Sequence, residues 1–167
     1  LYEPKVQGKG LAPEVILLPE PGWVDRTIYD TYLSTGLQQK GFFALNVDLR
    51  GSGNSLGKKV LEEFSAEEMK GIQTDLKAAI EFVASLPGVD PSRIGVIAAG
   101  ATSKYAVREA AENSQVRVAV LISGTLSETA KEYRERPHTE SSSLQTEKPS
   151  GRRARSIVTS TRTRCQT

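Results

Sequence analysis

A chain of 167 residues with 38% hydrophobic content supplies one domain with a modest core and leaves no room for a second full domain. Its one cysteine, Cys165, excludes an internal disulfide framework and a cysteine-rich metal site, and an unpaired thiol leans weakly toward a reducing, cytoplasmic setting. The net charge of +2 is an average of unlike parts: residues 136–167 carry seven basic side chains against two acidic ones, which leaves residues 1–135 at −3.

The first element in chain order is the apolar run Val15-Ile16-Leu17-Leu18, with Pro13 before it and Pro19, Pro21 and Gly22 after it, as suits a strand buried on both faces of a parallel sheet. A weaker helical pattern follows from about Ile28 to Gln39. The second apolar run, Phe42 to Val47, stops at Asp48. Ser65, with Glu68 three residues on, is a capping-box signature, and Met69, Ile72, Leu76, Ile80 and Val83 then share one helical face. Leu86-Pro87-Gly88 ends that helix, and Asp90-Pro91 reads as the turn into a third strand, Ile94 to Ile97. A short helix from about Thr102 to Glu112 leads to the fourth strand, Val116 to Ile122. Four strands alternating with helices predict right-handed crossovers and a doubly wound, mostly parallel α/β sheet. The fourth strand is then expected to be an uncovered edge, open to self-association.

After about Arg134 the pattern changes. Residues 136–167 hold six Ser and six Thr, with apolar residues scattered as Leu144, Ala154, Ile157, Val158 and Cys165, too few to offset the entropy of ordering. The sequence therefore divides at residue 135 into an α/β domain and a basic tail expected to be disordered and solvated, without a nucleic-acid partner. No run approaches a membrane span. The start at Leu1, with no leader pattern, reads as an internal piece or a processed product.

The stretches VILLPEPGW, GFFALNVDLRGSGNS and DLKAAIEFVASLPGVDPSRIGVIAAGA together resemble the central part of an α/β-hydrolase, most similar to its dienelactone hydrolase-like and esterase branches. The resemblance covers roughly Ala12 to Thr125, and the D-x-R-G-x-G-x-S loop from Asp48 to Ser55 is its most specific motif. It implies a truncated three-layer sandwich and the hydrolysis of esters or related acyl substrates, with no cofactor and no metal. It also implies a nucleophile at the apex of G-x-S-x-G, where small flanking residues let a strand turn sharply into a helix.

The matching five residues are Ala98-Ala99-Gly100-Ala101-Thr102, so the apex falls on Gly100, which has no attacking atom. Ser103 and Thr102 are poor substitutes, because the flanks Tyr105 and Lys104 are bulky for such a corner. The resemblance places one oxyanion-hole donor in the loop Pro19 to Trp23 and the other at Ala101, yet Pro21, at or beside the loop donor, has no N–H. The family's acid and histidine follow strands beyond the fourth. Here the only histidine is His138 in the tail, while Asp48 and Asp75 read as a strand-end cap and a helix-surface charge.

The implied reading is a family member whose triad is absent and which is catalytically inactive. A non-catalytic relative would bind a small acyl ligand or a protein through a cleft around Glu20, Trp23, Arg50 and Gly100. A hydrolase with another nucleophile is the catalytic alternative, and the compositional break near Arg134 also fits an incomplete or out-of-frame product. No G-x-G-x-x-G or P-loop pattern supports nucleotide binding.

Overall fold

The computed structural model describes residues 1–5, 10–20, 26–55, 57, 59–60 and 63–123, together with the backbone of 156–160. These residues build β1 (Ala12–Leu18), α1 (Thr35–Gln39), β2 (Phe43–Asn46), α2 (Ala66–Ala84), β3 (Val89–Ala99), α3 (Ser103–Glu112), β4 (Val116–Ile122) and β5 (Ser156–Ser160). The sheet order is β2-β1-β3-β4-β5, and every neighbouring pair is parallel. The doubly wound α/β class expected from the alternating pattern is therefore the observed one.

Chain direction across the sheet sets the layers. The step from β1 to β2 runs one way, and the steps from β2 to β3 and β3 to β4 run the other, so right-handed crossovers put α2 and α3 on one face and the segment before β2 on the opposite one. On the first face Ile72, Leu76, Ile80 and Val83 of α2 are fully buried against Ile16, Leu18, Ile94, Val96 and Ala98 of the sheet and Ala106 and Ala110 of α3. Each such side chain contributes on the order of 2 kcal/mol by leaving water. The capping box is formed as expected: Ser65 accepts from the Glu68 amide, and the Glu68 carboxylate accepts from the Ser65 amide at 2.8 Å. Lys59 adds an ion pair at 2.8 Å, and these contacts hold the Glu68 carboxyl down at about 2.

The opposite layer starts irregularly, with a 3-10 turn over Arg26–Tyr29 and a π turn over Asp30–Ser34 leading into α1. It is tied to the end of β2 by Asn46, which accepts from Ser34 Oγ at 2.8 Å and donates to Asp30 Oδ1 at 2.5 Å and to the Arg26 carbonyl at 3.2 Å. The N-terminus caps the outer side of β2 at one point, through an antiparallel bridge between Tyr2 and Ala44.

Three expectations change. β3 begins at Val89, so Asp90-Pro91 lies inside the strand, where Asp90 accepts from the Ser92 amide at 2.9 Å and the pairing with β1 is interrupted between Ala12 and Glu14. The tail is not wholly without regular structure, because Ser156–Ser160 pairs with Val118–Ile122. β4 is therefore not a bare edge along that stretch, and the self-association expected from such an edge loses its basis there. The remaining tail, with His138 and Cys165, lies outside the described residues.

Glu14 departs from the apolar character of its strand. It is fully buried, alternation puts it on the side of Ile16 and Leu18, and among the described residues neither carboxyl oxygen has a hydrogen-bond partner. Burial pushes its carboxyl up to about 8. A raised acid holds its proton more tightly folded than unfolded, so its contribution is fully present below about pH 4.5 and is lost as pH rises through about 8. Replacing Glu14 with Leu should raise stability more at pH 8.5 than at pH 4.5, by on the order of 4 kcal/mol, in urea denaturation at the two pH values. An equal gain at both would place the ionised carboxylate in a compensated environment.

Candidate functional site

In an open parallel sheet the ligand crevice forms outside the carboxyl ends of the strands, at the point where the winding reverses. Here the reversal falls between β1, which leads outward to β2, and β3, which continues toward β4. The last paired residues of those two strands are Leu18 and Ala98. The next residues but one are Glu20 and Gly100.

Gly100 is the corner. β3 ends at Ala99, a 3-10 turn covers Gly100–Thr102, and α3 starts at Ser103. Gly100 has φ +53°, a left-handed conformation that costs an L-residue about 1–2 kcal/mol and glycine little. The sharp strand-to-helix turn is thus built as the A-A-G-A-T pattern implies. A Cβ placed on Gly100 would run into Oε1 and Cδ of Glu20, whose Cγ lies 2.9 Å from that point. The side chain of Glu20 therefore fills the space in which an attacking residue would begin.

Neither substitute hydroxyl is presented at this corner. Thr102 is fully buried and its Oγ1 donates to the Ala99 carbonyl at 2.7 Å, which ties off the end of β3. Ser103 is 1% exposed, and its Oγ is buried without a partner among the described residues. Ala101 is exposed at the start of the helical turn, where the first amides have no partner within the helix. Pro21 and Trp23 lie outside the described residues.

The D-x-R-G-x-G-x-S loop is held by two carboxylates. Asp48, 4% exposed, accepts from the Arg26 amide at 2.8 Å, from the Asn54 amide at 3.0 Å and from the Arg26 guanidinium. Gly53 must be glycine on two counts: its φ is +49°, and a Cβ would press into the Asp48 carboxylate, with Oδ2 at 2.6 Å. Asp48 thus holds the loop as well as capping the strand. Asp75 is more than a helix-surface charge, because it takes the Arg50 guanidinium in a fork, with Nε at 2.8 Å and Nη2 at 2.6 Å. This hydrogen bonding raises the Arg50 pKa, and Gly71 leaves the room in which the guanidinium lies, since a Cβ there would stand 3.0 Å from its Nε. Arg50, expected to face a ligand, is committed to α2.

Sequence reasoning missed two neighbours of the corner. Tyr29 donates from its hydroxyl to the Leu18 carbonyl at 3.2 Å, and burial, with the Glu20 charge second, raises its pKa. Ser123 follows β4 with φ +55°, and the pairing of Ala99 with Ile122 places it next to Gly100 in register. No motif announces either. A separate cleft of about 350 Å³, lined by Lys77, Glu81, Glu109 and Asn113 among others, opens where α3 ends, at the opposite ends of the strands. Among the described residues no cluster of His, Cys, Asp and Glu could hold a metal ion, and no helix is long and apolar enough to cross a membrane.

With this geometry established, comparison with known proteins decides the family. The model of the dienelactone hydrolase family matches residues 1–146. The chain belongs to that family. No curated protein matches it. Among solved structures it is similar to a hypothetical protein from Pseudomonas aeruginosa, at 23% identity and a TM-score of 0.60 over 74% of this chain and 37% of the other. It is also similar to an α/β hydrolase from a Penicillium species (20%, TM-score 0.57, 70% and 38%) and to an esterase from Pyrococcus furiosus (24%, TM-score 0.52, 68% and 43%). At these identities the likeness shows the fold, and the chain spans about 37 to 43% of the length of the three.

The doubly constrained Gly53 gives the sharpest stability test of this loop. Gly53→Ala should cost about 2–3 kcal/mol, from left-handed strain and displacement of the Asp48 carboxylate, read as a lower urea midpoint with an unchanged slope. A cost below about 0.5 kcal/mol would show that the loop does not depend on Asp48 for its shape.

Proposed function

We propose that this member of the dienelactone hydrolase family lacks the covalent acyl-transfer step and holds a small acyl or ester ligand at the crevice between β1 and β3. The observation that carries this reading is the bare corner at Gly100, with the Glu20 side chain in the space where a nucleophile would begin. Two further features support it. Thr102 and Ser103 are buried, so no hydroxyl of the elbow faces a ligand. The chain's one histidine, His138, stands in the tail, far along the sequence from the elbow.

A serine at the corner needs a base to take its proton and an acid to orient that base, and removing the partners costs orders of magnitude in rate. Gly100→Ser would add only the hydroxyl, and it would have to displace Glu20 to do so. The expected outcome is that neither the natural chain nor Gly100→Ser gains mass with a fluorophosphonate probe, and that neither shows an acyl-enzyme burst with p-nitrophenyl acetate. Stoichiometric labelling of the natural chain, mapped by peptide mass to Thr102, Ser103 or Ser123, would identify a nucleophile and overturn the reading.

A further inference from the structure

Resting on the absence of a nucleophile at the corner, we infer that Glu20 acts there as a general base that drives water directly onto an activated ester. Three features place it. β1 delivers Glu20 to the winding reversal beside Gly100, and Gly100, lacking a Cβ, lets the carboxylate lie over the corner. Glu20 is exposed, so water reaches it. The 3-10 turn and α3 begin at the same point, and the first amides of a helix lack partners within it, which favours negative charge developing there.

The step balances without a covalent intermediate. A Glu20 carboxylate oxygen takes a proton from water while the water oxygen bonds to the ester carbonyl carbon, and the carbonyl pair moves to oxygen beside the helix start. The tetrahedral oxyanion collapses, the carbonyl reforms, and the bond to the leaving oxygen or sulfur breaks. The departing phenoxide or thiolate takes the proton back from Glu20, giving one acid and one phenol or thiol from the acyl compound and water. The neighbouring Tyr29 hydroxyl donates to the Leu18 carbonyl, so departure is left to the substrate itself, and the substrates are acyl compounds with weakly basic leaving groups, such as aryl esters and thioesters. An alkyl ester with a strongly basic leaving group is not turned over.

The test uses the full chain with p-nitrophenyl acetate in four forms: natural, Glu20→Gln, Gly100→Ala and Glu67→Gln. Glu67 is an exposed residue of α2 paired with Lys70, so its variant controls for lost surface charge. Turnover above the buffer rate is expected for the natural chain and Glu67→Gln. Glu20→Gln should lose about 100-fold of it, the usual range for a general base, and Gly100→Ala should lose as much because its methyl displaces the carboxylate. Matching far-ultraviolet circular dichroism and a single cooperative melt, lowered in Gly100→Ala by its left-handed strain, establish that both variants fold. Equal turnover in Glu20→Gln and the natural chain, or a natural rate no higher than buffer, overturns the inference. A burst with fluorophosphonate labelling overturns instead the reading that no nucleophile is present, so the two failures are told apart.

Discussion

The structure depends on one sharp reversal. β3, the central strand of the five described, must end and enter a helix through the three-residue turn Gly100–Thr102, whose first residue, Gly100, adopts a left-handed φ of +53°. The corner fixes where α3 starts, hence which of its side chains reach the core under the sheet. It also fixes what may stand beside it. A side chain at position 100 would contest the space of Glu20, so the glycine and the glutamate at the ends of adjacent strands are a matched pair. The left-handed backbone alone would tolerate an asparagine or a strained serine at moderate cost. Glu20 adds the steric reason that favours hydrogen.

The same device recurs. Gly53 gives way to the Asp48 carboxylate within its own loop and Gly71 to the Arg50 guanidinium from another element, so three glycines, Gly100 included, each admit one charged side chain. Asp48 joins the start of the irregular helical layer to the D-x-R-G loop, and the Arg50–Asp75 fork joins that loop to α2. The charged residues near the strand ends thus hold the loops of this end in place, and Glu20 stands apart from them as an exposed carboxylate at the winding reversal. That contrast makes Glu20 the chemical centre of the site.

Much of the fold was legible because it rests on local signals. The apolar runs mark β1, β2 and β4 to within about three residues and the centre of β3, which starts five residues earlier, the Ser65/Glu68 capping box marks the start of α2, and the A-A-G-A-T corner lies where its small residues put it. What escaped rests on contacts distant in sequence. Asp75 looked like surface charge because its partner Arg50 lies 25 residues away, and the meeting of Glu20 with Gly100 spans 80 positions. Glu14 escaped because a carboxylate before an apolar run reads as the strand's solvated start, whereas the pairing with both β2 and β3 buries it. Ser156–Ser160 escaped because three β-branched residues among serines and arginines make a weak strand signal, and pairing with the side of β4 supplies the rest.

Membership in the dienelactone hydrolase family accounts for the scaffold, but function resides in the groups at the site. The Glu20 carboxylate occupies, over a bare corner, the place of an attacking side chain. Crystal structures of the natural chain and of Gly100→Ala should show the Glu20 carboxylate over Gly100 in the first and swung away from an unchanged backbone turn in the second. A Glu20 side chain lying away from residue 100 in the natural protein, and unmoved by the added methyl, would contradict this placement.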